Sequence, residues 1–551
     1  MLTKKLKSLV CFLIALITAL SCVGCAVDED IKEVDSSKTQ LYVGIYDGGL
    51  DDDWLESAIG RFEALYANKS FEEGKTGVQV FIDKDKSTMD GIPLLNLISS
   101  KRAEVYFTER VYYYDYISKD ALADITDVVT APLTEFGETD SIESKLAKAY
   151  QDYFKVEGKY YGLPFHTANN GIVFDADMFE QRKFYFKEGG GWTGSLTEAT
   201  AGQDGEKGTF DDGLPITYDD FFALCERIQS YDITPILWTG KYLQYPLYLL
   251  ESLWADYEGY EQMLLNYNFD GNASSLVKTS SNGIVPVGAD PVKIDINNGY
   301  ELQKQAGKYH ALSFAKRLIS NPNYYDSTSF SPSLSHTGAQ EQFLLSRHSS
   351  AIKDVAMLIE GTWWEMEATS IFQDMVTTYG DKVSKASRKF GSMPMPKVSA
   401  EDVSKGNTIV AGSCVAFVSN YCAENKLPLA KKFLQFMHTD VSLSEFNSIV
   451  SIPRPFDYEI AQADWDKMTY FGKSVYEMHK NANIIYNSSS NDVVRRNGSY
   501  FSNDNSFMSR VKGVDYDNPI VAFHDNNDLS VADYFNGLYT YKKNSWSTIF
   551  N

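Results

Sequence analysis

The chain has 551 residues, of which 44% are apolar and 14% aromatic, and its formal net charge is -23. This length predicts two or three compact lobes and excludes a small scaffold. The negative field disfavours nucleic acid and anionic lipid headgroups as partners and favours a neutral ligand.

The N-terminal segment predicts export from the cytoplasm. A lysine-rich start precedes an apolar run, Leu9 to Leu20, that is too short to span a membrane as a stable helix. The sequence SCVGC at 21–25 resembles the lipobox of bacterial lipoproteins, in which a cysteine is diacylated after cleavage. The resemblance implies a signal peptide over 1–24 and a lipid on Cys25. Cys22 is the lesser candidate, and ordinary secretion is the alternative.

The next segment predicts a flexible tether over 25–39 followed by repeated strand and helix units. Strand-like runs at 40–46, 78–82 and 105–107 alternate with helical patterns. Such alternation is typical of a parallel sheet. We interpret the aspartates at 51–53 as caps of the first helix. The helical patterns of this part cover residues 54–66, 92–99, 112–119 and 142–154.

A hairpin and an extended segment at 156–165 predict the first crossing into another lobe, where a strand begins at Gly171. The glycine-rich stretch 187–213 is interpreted as a surface insertion too polar to pack. A buried strand run at 408–418 predicts a second crossing. Further helices are predicted at 219–230, 244–257, 300–319, 427–437 and 530–550, with another strand at 355–359.

The cysteines beyond the leader, Cys225, Cys414 and Cys422, are odd in number and widely spaced. They predict buried thiols, with neither a disulfide framework nor a paired zinc motif. A Cys414–Cys422 bridge is the alternative. We predict no cofactor and no metal.

Catalytic motifs are not recognised in the sequence. The segment GGGWTG at 189–194 matches a nucleotide fingerprint by letter but does not lead into a helical pattern. The acidic run at Asp83 lacks the glycine that a calcium loop needs at its sixth position. A surface glycoside hydrolase or lyase remains an alternative, because spacing alone cannot reveal paired carboxylates. A sugar sensor or adhesin is the other alternative.

Several motifs in a fixed order carry a resemblance to a known family. They are QLYVGIYDGG, GKYYGLPFHTANNGIVFDADMF, DITPILWTG, VAMLIEGTWW, FGSMPMP and NTIVAGSCVAFVSN. In this order they resemble the extracellular solute-binding proteins of family 1, which serve carbohydrate ABC importers. The resemblance implies an α/β fold of the type II periplasmic-binding-protein kind, with two lobes of mainly parallel sheets joined by a multi-segment hinge. It assigns residues 38–165 and 408–455 to lobe 1, and 166–407 and 456–551 to lobe 2.

The same resemblance implies a function without chemistry on the ligand. The expected protein is a monomer on the outer face of the cytoplasmic membrane, held there by its lipid. It captures a carbohydrate, in particular an oligosaccharide, by hinge closure and passes it to the ABC permease subunits. We therefore predict neither an enzyme nor a nucleic-acid-binding protein.

A sugar ring has apolar C–H faces and a rim of hydroxyls, so its site needs flat aromatic side chains and planar polar groups. We expect these groups on loops at strand ends. One of Trp363 and Trp364 is the first aromatic candidate, because the resembling family stacks an aromatic ring on sugar there, and adjacent extended residues face opposite sides. Trp238 and Trp254 are the others. The polar candidates are Asp47, Thr108, Glu109, His166, Asn169, Glu360 and Arg454.

Overall fold

The fold is that of a computed structural model, in which residues 32–46, 48–89, 91–109, 111–496 and 506–550 are described. The predicted signal peptide, Cys22 and the predicted lipidation residue Cys25 lie outside the described residues. So does the binding candidate Asp47.

The strands are short and alternate with helices along most of the chain. They are Thr39–Tyr46, Val78–Asp85, Val105–Glu109, Lys155–Val156, Lys159–Tyr160, Asn170–Asp175, Tyr185–Phe186, Trp192–Thr193, Thr234–Leu237, Gly271–Ala273, Val277–Ser280, Gly283–Pro286, Val292–Ile294, Val355–Gly361, Phe390–Met393, Asn407–Ala411, Cys414–Val418, Ala482–Tyr486, Ser509–Val511 and Val514–Tyr516.

The helices form the layers around the sheets. The α-helices are Asp53–Leu65, Gly91–Ser99, Tyr113–Ser118, Thr126–Thr130, Ile142–Lys145, Lys148–Phe154, Ala176–Arg182, Tyr218–Gln229, Gln244–Asn268, Ala306–Ser320, His336–Leu345, Trp364–Glu367, Thr369–Tyr379, Leu427–Phe436, Asp440–Val450, Gln462–Trp465, Tyr470–Lys480, Asp492–Arg496, Pro519–Asp525 and Val531–Ser545. Short 3₁₀ helices are Thr134–Phe136, Leu196–Glu198, Gly299–Lys304, Ser327–Phe330, Asp381–Val383, Ala400–Lys405 and Trp546–Phe550.

The sheet of lobe 1 has four strands. Thr39–Tyr46 lies between Val78–Asp85 and Val105–Glu109 and is parallel to both. Cys414–Val418, from much later in the chain, pairs antiparallel with Val105–Glu109. Helix Asp53–Leu65 buries Trp54, Leu55, Ala58, Ile59 and Phe62, which recur at helical spacing. A single aromatic-rich core results.

The sheet of lobe 2 also has four strands, one of which runs opposite to the other three. Asn170–Asp175 lies between Phe390–Met393 and Val355–Gly361 and is antiparallel to both. Val355–Gly361 is parallel to Thr234–Leu237 and is buried along its whole length. A continuous apolar run is what a strand covered on both faces requires. The α/β fold with two mainly parallel sheets is thus confirmed.

Three segments of the chain cross between the lobes side by side. In the first, Ala168 O accepts from Gly412 N of the second at 2.7 Å, and Thr167 N donates to Pro453 O of the third at 2.9 Å. Leu163 and Ala416 exchange two backbone hydrogen bonds of 2.8 and 2.7 Å. The strand run predicted at 408–418 is interrupted here: Asn407–Ala411 pairs with Ala482–Tyr486, and Cys414–Val418 joins the sheet of lobe 1.

Glu365 ties the third crossing to lobe 2. Its carboxylate Oε2 accepts from Ser451 Oγ at 3.2 Å and from Thr469 Oγ1 at 2.7 Å. The side chain is buried, and burial raises its pKa to about 7, a shift that Lys385 and the two hydroxyls only partly offset. A charge at this position therefore costs folding free energy.

We predict that Glu365→Gln flattens the pH dependence of stability between about pH 4.5 and 7. The unfolded chain releases this proton near its ordinary pKa of 4.5, whereas the folded chain holds it to about 7. The stability that the raised pKa contributes is fully present below 4.5 and is lost as the pH rises through 7. An amide keeps the acceptor oxygen, so the variant should be more stable than the parent by on the order of 3 kcal/mol at pH 8, and equal to it at pH 4.5. Urea unfolding at both pH values measures this, and an equal gap at both would contradict it.

The capping prediction for the first helix is confirmed in position only. Asp52 holds the N-cap position and Asp53 lies in the first turn, but the side chain of Asp52 makes no capping hydrogen bond. Asp51 and Asp52 instead pair with Lys84 at 3.2 and 3.3 Å.

The glycine-rich stretch 187–213 lies largely at the surface, as predicted, but parts of it pack against lobe 2. Ala199 is fully buried, and Gln203 Nε2 donates to Met395 O at 2.9 Å. Asp211 Oδ2 accepts from the backbone N–H groups of Gln203 and Asp204 at 2.6 and 3.1 Å. Turns in which a carboxylate accepts from backbone N–H groups satisfy those groups without regular secondary structure. Composition alone does not reveal such turns.

Candidate functional site

The two lobes touch where their strands end. Gly49 follows the first strand of lobe 1, and a Cβ at this residue would lie 3.4 Å from Trp363 Cδ1 and 3.3 Å from Glu367 Oε1 of lobe 2. Its φ of +94° also favours glycine. The backbone of one lobe can therefore approach a side-chain cluster of the other.

Trp363 lies at this boundary. Its ring is half-buried, packs against the core of lobe 1 and meets Tyr245 edge to face, with ring centroids 6.3 Å apart. Tyr245 lies next to His336, whose Nε2 is 3.1 Å from Glu367 Oε1. Of the two adjacent tryptophans, Trp363 is the one that the structure places at the boundary between the lobes.

Glu360 lies beneath this cluster. It is buried, its Oε1 accepts from Gly361 N at 2.9 Å, and its Oε2 accepts from Gln340 at 3.3 Å. Burial, with a smaller contribution from Glu367, raises its pKa well above the ordinary range. Burial first, and then Glu360 and Glu367, raise the pKa of Tyr245. Burial of Glu360 beside the cluster therefore disfavours the charged form of its carboxyl.

Trp364 and Trp238 are core residues, so the structure does not place either ring in the cleft. Trp364 is 0% exposed and packs on Phe390 and Phe471. Trp238 is also 0% exposed and packs between Tyr325 and Phe330. Trp363 begins a helical turn, so the alternation expected for an extended segment does not apply to the tryptophan pair.

His166 and Glu109 face each other beside the first crossing. His166 Nε2 is 3.4 Å from Glu109 Oε1, and the backbone N–H of Ala168 donates to His166 Nδ1 at 3.2 Å. With Nδ1 as an acceptor, Nε2 carries the proton toward the carboxylate. Asn169, three residues on, is buried, and its Oδ1 has no hydrogen-bond partner among the described residues.

Thr108 and Arg454 have structural positions away from the cleft. Thr108 is fully buried in its strand and donates to Val415 O at 3.4 Å. Arg454 Nε donates to Phe165 O at 2.8 Å, and its guanidinium lies 4.6 Å from the ring of Phe446. Burial lowers the pKa of Arg454 to about 10. Arg454 thus fastens the third crossing to the first.

A cavity of about 130 Å³ lies between the lobes. Lobe 1 contributes Tyr112, two tyrosines of helix Tyr113–Ser118 and one tyrosine of helix Lys148–Phe154. Lobe 2 contributes Trp254, whose Nε1 donates to Gln305 Oε1 at 3.1 Å. The segment after strand Ala482–Tyr486 adds amide and hydroxyl groups. Lining residues include Tyr112, Tyr113, Tyr114, Tyr153, Glu251, Trp254, Asn266, Tyr267, Gln303, Lys308, Asn487, Ser488, Ser489 and Lys542.

Sequence reasoning found only Trp254 among these lining residues. The tyrosines at 112–114 directly follow a strand end, which is a usable signal. Lys308 and Lys542 lie in helices and carry no such signal. One helix, Gln244–Asn268, positions both Tyr245 beside Trp363 and Trp254 in the cavity, about 13 Å apart along its axis.

Comparisons with known proteins account for these features, which are two lobes, three crossing segments and a cleft between strand ends. The model of the bacterial extracellular solute-binding protein family matches residues 69–469. The chain belongs to this family. The membership predicted from the sequence motifs is thereby confirmed, and the family is one of binding proteins.

Solved structures show the fold of this solute-binding protein independently. The apo form of RafE from Streptococcus pneumoniae gives a TM-score of 0.55 at 12% identity, over 94% of this chain and 100% of that one. The cyclic α-maltosyl-1,6-maltose binding protein from Arthrobacter globiformis gives 0.53 at 11%, over 93% and 100%. Lmo0181 from Listeria monocytogenes, in complex with cycloalternan, gives 0.51 at 14%, over 93% and 98%. None of the curated proteins matches the chain.

Three further findings concern the described residues. The thiols of Cys225, Cys414 and Cys422 are free, so the alternative bridge is absent. No described helix is long and apolar enough to cross a membrane. Within the same part of the chain, no group of three or more His, Cys, Asp and Glu side chains could hold a metal ion.

Proposed function

We propose that this solute-binding protein captures a carbohydrate, in particular an oligosaccharide, between its lobes and delivers it intact to an ABC importer. The observation that carries the proposal is the inter-lobe cavity, which receives aromatic rings from both lobes and amide and hydroxyl groups from the segment beside the crossings. Flat apolar faces with a polar rim are what a sugar ring requires.

The crossings support a mechanism by hinge closure. Few chain segments join the lobes, and ligand contacts from both sides favour the state in which the cleft is closed. Contacts such as that of Gly49 with Trp363 belong to this closed state. The closed protein then docks on the membrane permease. Sugar-binding proteins among the structural neighbours, RafE with raffinose and Lmo0181 with cycloalternan, agree with a saccharide ligand.

Within the cleft we assign ligand contact to Trp363, Trp254, Glu109, His166 and Asn169. Glu360 supports this surface from below, and Trp364, Trp238, Thr108 and Arg454 stabilise the lobes and crossings. The role of Asp47 remains a prediction, as do the lobe boundaries drawn from the resemblance. We also propose that the protein is a monomer and that a lipid on Cys25 holds it on the outer face of the cytoplasmic membrane.

The proposal is tested by calorimetric titration of the purified chain with a panel of oligosaccharides, followed by mass spectrometry of the ligand. Binding with recovery of unaltered sugar is expected. Loss of ligand mass over time would instead favour a hydrolase or lyase. Palmitate labelling of cells tests the anchor, because Cys25→Ala should abolish the label and Cys22→Ala should not.

A further inference from the structure

Two lysines line the inter-lobe cavity, and both are buried. Lys308 comes from helix Ala306–Ser320 and Lys542 from helix Val531–Ser545. Glu251 is the single carboxylate among the described residues of the lining. In a chain with a formal charge of -23, the described residues of this lining include two basic side chains and one acidic side chain. Such a local excess is unexpected for a site that holds a neutral molecule.

The hydrogen-bond partners of Lys308 are neutral groups. Its Nζ donates to Gln303 Oε1 at 2.8 Å and to Ser506 O at 2.5 Å. The same atom lies 4.0 Å from the ring centroid of Trp254. Lys308 forms no ion pair with a described carboxylate, although it is 0% exposed. Burying an ammonium without an opposite charge is costly, so buried charges are usually paired.

Glu251 and Glu258 are the described carboxylates whose charge acts on Lys308, and neither forms an ion pair with it. Glu258 is occupied on the far side of Gly307, where its Oε1 accepts from Gly307 N at 2.7 Å and its Oε2 accepts from Ser275 Oγ. Glu251 Oε1 accepts from Ser506 Oγ at 3.2 Å. Burial, reinforced by the charge of Lys542, lowers the pKa of Lys308 well below its ordinary value, and Glu251 and Glu258 oppose this shift without cancelling it.

We propose that the bound sugar carries an anionic group, a carboxylate or a sulfate ester, which binds beside Lys308 and Lys542 in the inter-lobe cavity. This inference rests on the proposed function and replaces the neutral ligand expected from net charge. The long-range field of surface carboxylates is screened within about 8 Å at physiological ionic strength, whereas buried groups at the site act on the ligand directly. The ring of Trp254, which lines the same cavity, lies against Lys308.

The test compares trisaccharides of galacturonate, glucuronate and mannuronate with their neutral methyl esters, and adds a sulfated galactose trisaccharide. At least one acidic trisaccharide should bind, more weakly at higher salt, while its ester binds at least about tenfold more weakly. Lys308→Met keeps the apolar stem and should lower affinity for the acid by at least about tenfold without changing affinity for the ester. The sulfated arm distinguishes a sulfate ester from a carboxylate.

Lys542→Gln is the second variant and should weaken the acid in the same way. Its matched control is Lys543→Gln, because Lys543 is the exposed neighbour on the same helix. Thermal unfolding of each variant verifies the fold. Binding of a neutral trisaccharide with no preference for any acid would overturn this inference and leave the proposed function standing. The absence of binding by every saccharide, charged or neutral, would overturn both.

Discussion

Replacing Trp364 with alanine is expected to lower the free energy of unfolding by about 3–5 kcal/mol. The ring is 0% exposed and its centroid lies 5.1 Å from that of Phe390, 5.6 Å from that of Phe471 and 6.0 Å from that of Phe343. Truncation removes the largest side chain of this cluster and leaves a cavity that the surrounding rings can fill only in part. Urea unfolding, followed by circular dichroism, measures the loss.

Trp364→Phe is the matched control for this experiment. It keeps an aromatic ring and removes an indole N–H that has no hydrogen-bond partner among the described residues. We therefore expect a smaller loss than for alanine, on the order of 1–2 kcal/mol. At temperatures where the protein remains folded, ligand affinity should stay near that of the parent in both variants. A normal stability for Trp364→Ala would show that the ring is not a core residue.

The two adjacent tryptophans show what the sequence could and could not reveal about the site. The strand before them, its glycine and the loop position were all predictable from the apolar run and its end. Which ring lies at the lobe boundary was not, because strand Val355–Gly361 ends before the pair and Trp363 already has helical φ and ψ of -80° and -11°. Neighbouring side chains on a helix point about 100° apart, so Trp363 and Trp364 need not face opposite sides.

The fold was largely predictable, since local apolar patterns specify strands and helices and the order of motifs specifies the family. The cavity was not, because its lining joins residues that lie far apart in the chain. Tyr113, Trp254, Lys308 and Lys542 come from four helices, and each pattern alone resembles an ordinary core or surface face. A lysine in a helix predicts solvent exposure. Only tertiary packing brings two such lysines into one inter-lobe space.

Trp363→Ala should weaken binding of an oligosaccharide by about 1–3 kcal/mol, through lost burial and stacking, while changing the free energy of unfolding by less than about 1 kcal/mol. The half-buried ring contacts lobe 1 across the boundary, so its removal also destabilises the closed state, and apparent affinity falls with the population of that state. Trp363→Phe should keep part of the stacking on the ligand and part of the contact that stabilises the closed state. Calorimetric titration and urea unfolding of the two variants separate binding from stability.

If Trp363→Ala bound sugar as tightly as the parent, the ring would serve neither the ligand nor closure. If Trp364→Ala lowers stability and Trp363→Ala lowers binding, as expected, Trp364 is a core residue and Trp363 a cleft residue.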